Sequence, residues 1–189
     1  MLLAEELDLD WSKVKVIQAP ANAKIFGNPR FGGGMTTGAS RTVQGYYDPI
    51  RLAGAQVRLV ILDAAAQAMK VPASELRTEK GQVIHSSGRK MSYGQIARVA
   101  QVPAELPKVE KAQLKAMRDF KIIGTDLPRV DVASKSNGSA RYGIDQRLPG
   151  MLWASVLRAP VHGETLTGLD DSAALAMPGV RRVVRLPYG

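Results

Sequence analysis

A chain of 189 residues with 45% hydrophobic side chains can bury the core of one ordinary domain or two small ones, and its composition is neither that of a disordered segment nor that of a membrane protein. The absence of cysteine and the presence of only two histidines, His85 and His162, exclude disulfides and thiolate chemistry and argue against a metal centre, so any redox chemistry has to be borrowed from a cofactor. Twenty-six basic residues against 17 acidic ones give a net charge of +9, but they are spread singly and aromatics make up only 5%, which argues against nucleic acid and for a solvated surface suited to an acidic partner.

The opening, MLLAEELDLDW, is amphipathic and lacks the pattern of a signal peptide, which predicts a cytoplasmic protein, or a periplasmic one if an export signal precedes Met1. Leu2 to Leu7 read as the last turns of a helix, and Asp8, Asp10 and Trp11 as a solvated turn. KVKVIQA, Lys13 to Ala19, alternates as a strand does, and a polar connection runs from Pro20 to Gly34.

A long helix is predicted from Val43. Val43, Tyr46, Tyr47, Ile50, Ala53, Val57, Val60, Ile61, Ala64 and Ala68 recur at three- and four-residue steps and define its core-facing stripe. Pro49 should kink or split this helix. The longest apolar stretch, VRLVILDAAAQAM, is broken by charge before the roughly 18 residues of a membrane span are reached, so none is predicted.

ELRT and QVIH around EKG read as a β-hairpin, SSGRK as a second turn, and Ser92 as the cap of a short helix, YGQIARVA. Residues 101–120 are rich in Pro, Lys and Glu and mark a domain boundary. Beyond them IGTDLPRVDVASKSNGSARYGIDQRLPG is nearly all loop chemistry, with Asn137 and Gly138 suited to positive φ. MLWASVLR, ETLTGLD and VRRVVRL read as strands, with DSAALAM as a short helix capped by Asp171 or Ser172. Asp170 and Asp171 complement that helix, while His162, Arg141 and Tyr142 carry no catalytic signature.

The stretch FGGGMTTGASRTV, Phe31 to Val43, sets Gly32, Gly33 and Gly34 and then Thr36, Thr37, Ser40 and Thr42 ahead of the long helix. Glycine allows close backbone approach, and the unpaired N–H groups and positive dipole end of a helix suit a phosphate. The same residues equally make a surface turn in which Ser40 or Thr42 caps the helix, and neither a Walker lysine nor GxGxxG is present. Local chemistry leaves both open.

The run IGTDLPRVDVASKSNGSARYGID, followed by LPGMLWASVLRAPVHG and DDSAALAMPGVRRVVRL, resembles the opening of the hammerhead domain of the xanthine dehydrogenase and aldehyde oxidase family, the molybdenum hydroxylases. AEELDLDWSKVKVIQAP and FGGGMTTGASRTVQGYYDPIRLAGAQVR are similar to a stretch of the family's molybdopterin-binding domain. In typical members the hammerhead precedes this stretch. Here it follows, an order that resembles the isoquinoline 1-oxidoreductase beta-subunit group.

The resemblance implies an α+β chain: part of a molybdopterin-binding domain over residues 1–105, a linker over 106–120, and the first part of an α/β hammerhead domain over 121–189. It implies that TGASRT holds the phosphate end of molybdopterin, plain or as the cytosine dinucleotide. Ala39 and Arg41 would offer backbone N–H groups, Ser40 and Thr42 hydroxyls, and Thr37 and Gly38 would shape the entry. No catalytic residue or metal ligand is assigned, because the family's Gly-Gln-Gly motif is expected upstream of Met1 and its glutamate general base beyond Gly189. The chain is therefore expected to be a fragment, inactive alone, of a hydroxylase that inserts water-derived oxygen into an aldehyde or N-heteroaromatic carbon. Its implied partners are the remainder of the molybdopterin subunit, an iron-sulfur subunit carrying the clusters, and the small-molecule substrate. The rival expectation is a non-catalytic α+β binding or assembly module with a basic surface.

Overall fold

The computed structural model describes residues 1–186, in two compact units, one ending at Gly138 and the other beginning at Ser139. The first unit is α+β. Its elements are α1 (Leu2–Glu6), α2 (Ala23–Phe26), α3 (Arg41–Met69), β1 (Leu76–Glu79), β2 (Gln82–His85), β3 (Lys90–Ser92), α4 (Tyr93–Val99) and α5 (Val132–Ser136). The strands form an antiparallel sheet in the order β1-β2-β3. Glu79 pairs with Gln82, so the hairpin turns on Lys80 and Gly81, both at positive φ as a tight two-residue turn requires. Ser92 and Gln95 close a reciprocal capping box on α4. Ala65 of α3, Val83 of β2 and Ile96 of α4 are fully buried together, with Ile61, Leu62, Leu76, Met91 and Tyr93 packed around them.

Several expectations change. Val14 to Ala19 forms no ladder, and Val16 and Ile17 are exposed, because no neighbouring strand among the described residues takes up their alternation. Pro49 does not split α3, which runs unbroken from Arg41 to Met69. The missing donor is one rung of a long ladder, and the helix is tied down on either side of it, by the Tyr46 hydroxyl donating to Phe26 O at 2.5 Å and by Arg51.

The buried face of α3 is also rotated from the expected stripe. Val43, Ala53, Val57 and Ala68 are exposed, while Gly45, Arg51, Gly54, Ala55, Ala65 and Met69 are buried. Close approach selects small residues here: a Cβ on Gly54 would lie 2.9 Å from the Cβ of Glu6, where α1 crosses the helix. By length and composition α3 is apolar enough to cross a membrane, but it serves as the core helix, packed by α1, the sheet and α4.

The segment 106–120, expected as a linker, lies inside the first unit: Pro107 O accepts from Gln56, Lys111 pairs with Asp48, and Lys115 reaches Glu5 of α1. In the second unit the three expected strands are absent among the described residues. MLWASVLR, ETLTGLD and VRRVVRL form no ladders among the described residues, with Leu157 96% exposed, since an alternating segment becomes a strand only when a neighbour completes its hydrogen bonds. The short helix is present as α6 (Ser172–Leu175), with Asp171 at its N-cap position and Asp170 accepting from the Ser172 N–H at 3.1 Å.

The first unit is held by carboxylates removed from water. Glu5 and Glu6 of α1 are 0% exposed, and Asp8, expected in a solvated turn, is buried. Glu6 pairs with Arg51, whose Nε donates to Oε1 at 2.8 Å and whose guanidinium lies against the rings of Tyr47 and Phe120. Glu5 accepts from the backbone N–H groups of Lys121, Ile122 and Ile123. Asp8, just past α1, accepts from Lys115 at 2.7 Å, Lys121 at 3.0 Å and Thr78 at 2.6 Å, joining the end of α1 to β1 and the 115–123 segment.

Replacing Arg51 with Met leaves Glu6 buried without its cation, and should cost about 3–5 kcal/mol in urea denaturation. The double variant with Glu6→Gln should recover much of that loss, and additive losses would count against the coupling. Burial raises the carboxyls of Glu5 and Asp8, but the three amides on Glu5 and the Lys115, Thr78 and Lys121 bonds on Asp8 outweigh it, holding both below their ordinary values. A folded pKa below the unfolded one adds stability that is complete above the unfolded value and lost as pH falls through the folded one. The denaturation midpoint should therefore hold from neutral pH to the ordinary carboxylate range and fall steeply beneath it. Glu5→Gln should make that fall shallower.

Candidate functional site

The glycine-rich stretch is built from Asn28 outward. The Asn-Pro pair starts a tight turn over Pro29–Phe31, in which Asn28 Oδ1 accepts from Arg30 N at 2.9 Å. Asn28 O then accepts from Gly33 N at 3.0 Å and Asn28 N donates to Gly34 O at 3.0 Å, while Gly32 and Gly33 take positive φ. From Met35 to Ser40 the chain is exposed and makes no regular structure until α3 begins.

The mouth of α3 is open. Ser40 occupies its N-cap position yet makes no capping bond with its side chain, leaving first-turn N–H groups of the helix without a side-chain partner. Ala39 and Ser40 both lie in the left-handed region, at φ 45° and 52°, a costly conformation for residues with a Cβ. Strain of this kind concentrates where a backbone is shaped for a ligand. The Arg41 guanidinium stacks on Phe31 at 5.6 Å and donates to Arg30 O at 3.4 Å, so one guanidinium group borders the loop.

The residues assigned to phosphate holding, Thr37, Gly38, Ala39, Ser40, Arg41 and Thr42, thus lie side by side and exposed at the N-terminus of one helix. Their donors are not equally free. The Arg41 N–H, expected to face a ligand, donates instead to Gly38 O at 3.0 Å inside the loop's own turn. The Ala39 N–H and the hydroxyls of Thr37, Ser40 and Thr42 make no bond among the described residues. Exposed hydroxyls, open amides and the Arg41 guanidinium form a donor set suited to an anion and to no metal cation.

Elsewhere the chemistry is structural. A cavity of about 290 Å³ is lined by Glu5, Asp8, Asp10, Trp11 and Lys121 among others, but Glu5 and Asp8 are spent on the network above and Asp10 caps a 3-10 turn through Ser12 N. Among the described residues no cluster of histidine and acidic side chains could hold a metal ion. His85 bridges Ser87 and Glu75, and His162, Arg141 and Tyr142 are exposed. The residues missed in the sequence are Asn28 and Gly45: Asn28 lies in the polar connection from Pro20 to Gly34, and nothing local ties it to a glycine far along the chain.

Residues 1–145 match the model of a family described as the molybdopterin cofactor-binding domain. The chain belongs to that family. The match begins with α1, includes the whole glycine-rich loop and α3, and runs past residue 121, where the resemblance placed the hammerhead.

The chain is 40% identical to the beta subunit of the isoquinoline 1-oxidoreductase of Brevundimonas diminuta, over 99% of this chain and 28% of that protein. It is 34% identical to a subunit of the nicotinate dehydrogenase of Pseudomonas putida, over 97% of this chain and 15% of that one. To the membrane-bound aldehyde dehydrogenase (pyrroloquinoline-quinone) of Gluconacetobacter polyoxogenes it is 29% identical, over 96% of this chain and 23% of its length. The chain therefore spans less than a third of each of these relatives.

Because the Ser40 and Thr42 hydroxyls make no hydrogen bond among the described residues, Ser40→Ala and Thr42→Ala should each change the unfolding free energy by less than about 0.5 kcal/mol. A larger loss in urea titration would show that these side chains have a structural partner.

Proposed function

We propose that this chain is the cofactor-anchoring portion of the molybdopterin subunit of a molybdenum hydroxylase, and that the Thr37–Thr42 loop holds the phosphate end of the cofactor. The observation that carries this reading is the uncapped mouth of α3, within the family match, bordered by exposed hydroxyls and by the Arg41 guanidinium. The helix dipole, the open amide of Ala39 and the Ser40 and Thr42 hydroxyls would bind and orient a dianion, while α3, fastened by Arg51, keeps them fixed. The bound cofactor supplies the redox chemistry that a chain without cysteine cannot.

The cytosine dinucleotide form fits an open loop that leaves room for a base beyond the phosphates. A substrate class of N-heteroaromatic carbon is favoured over aldehydes by the names of the two relatives that are 40% and 34% identical over nearly the whole of this chain, and electrons would leave through an iron-sulfur partner subunit.

In the full-length subunit, Ser40→Ala together with Thr42→Ala should lower the molybdenum and pterin content severalfold while leaving the melting temperature in place. Mass spectrometry of the released cofactor would read out both the loss and the nucleotide form. Full cofactor content in this variant would overturn the assignment, and a full-length protein that carries no pterin but binds a partner would favour the rival assembly module.

A further inference from the structure

We infer that Asn28 and Gly45 form a clasp that sets the shape of the Thr37–Thr42 cradle, which makes Asn28 a positioning residue for the anion; this rests on the anchoring role proposed above. Asn28 is 1% exposed, and its polar groups are all engaged at the two ends of the same loop. Its backbone N–H donates to Gly34 O and its carbonyl accepts from Phe31 N at 2.9 Å and Gly33 N at 3.0 Å, which close the incoming turn. Its Oδ1 accepts from Arg30 N at 2.9 Å, while its Nδ2 donates at 3.2 Å to the carbonyl of Arg41, the first residue of α3. One side chain therefore fixes where the loop leaves the turn and where it enters the helix. Residues 35–40 are suspended between those two points.

Gly45 is what admits it. A Cβ at this position would lie 1.8 Å from Asn28 Oδ1, 2.7 Å from Cγ and 3.1 Å from Nδ2, so the three nearest atoms all belong to Asn28. Gly45 has no positive φ and sits within the first turns of α3, where glycine is unfavourable for a helix. Its presence is explained by close approach rather than by backbone conformation. The neighbouring Tyr46 hydroxyl, donating to Phe26 O at 2.5 Å, is a second tie between α3 and the segment that leads to Asn28.

The test uses the full-length subunit with Gly45→Ala, Asn28→Ala, their combination, and Ser40→Ala/Thr42→Ala. The readouts are the rate of limited proteolysis within residues 32–40 of cofactor-free protein and the molybdenum and pterin content of the protein as isolated. Gly45→Ala should speed cleavage about tenfold and lower cofactor content, and should add little once Asn28 is already alanine, because the atoms it strikes are gone. Should Gly45→Ala misfold, Asn28→Asp serves in its place, since it keeps the size and the Arg30 contact but sets a carboxylate against the Arg41 carbonyl. Unchanged cleavage and unchanged content would overturn the clasp. Faster cleavage with full cofactor, while Ser40→Ala/Thr42→Ala loses cofactor, would overturn the positioning role and leave the anchoring role standing. Full cofactor in both sets would show that the anchoring role itself has failed, and the clasp's role with it.

Discussion

The carboxylates of Glu5, Glu6 and Asp8 lie out of water, and the arrangement of the first unit follows from the need to satisfy them. A buried carboxylate is tolerated only when charges or N–H groups take the place of its hydration shell. Glu6 draws Arg51 inward and so sets the rotation of α3, which brings Gly54 against α1. Glu5 captures three successive amides and folds residues 121–123 back onto α1. Asp8 gathers Lys115, Lys121 and Thr78, so the hairpin is tied to the same point. A segment with the composition of a linker becomes part of the core because it carries the cations and amides that these acids require.

The same network matters for the loop at the start of the long helix. An anion cradle made of main-chain amides and short hydroxyls has no strong ligand of its own, and its selectivity depends on donors being held before the ligand arrives. Arg51 fastens α3 from within the core, and Asn28 fastens the loop to the start of α3. Two glycines on one helix mark the two approaches: Gly54 admits α1, and Gly45 admits the Asn28 amide. Rigid support and an exposed, uncapped mouth are thereby combined in one element.

Much was legible from pattern alone. The tight hairpin, the capping box at Ser92, the existence of the long helix and the small helix after Asp171 all rest on contacts between residues close in sequence. For the loop that opens α3, family resemblance supplied the expectation of a phosphate-holding stretch, which the residues alone left open. Its internal geometry was not legible, because the spending of the Arg41 N–H on Gly38 depends on two consecutive left-handed residues that carry no glycine.

By itself the sequence determined the secondary elements whose hydrogen bonds close locally, the lack of any cysteine-based redox centre, and membership in a molybdopterin-binding family. Only the tertiary structure decided which face of α3 is buried, that Glu5, Glu6 and Asp8 are interior, that residues 106–120 belong to the first unit, and that Asn28 meets Gly45. It also left the alternating segments at Lys13 to Ala19 and beyond Ser139 without ladders. The physical reason is common to all of these: the partner that settles each choice is remote along the chain, and periodicity reports what a segment is able to pair with, never whether that partner is there.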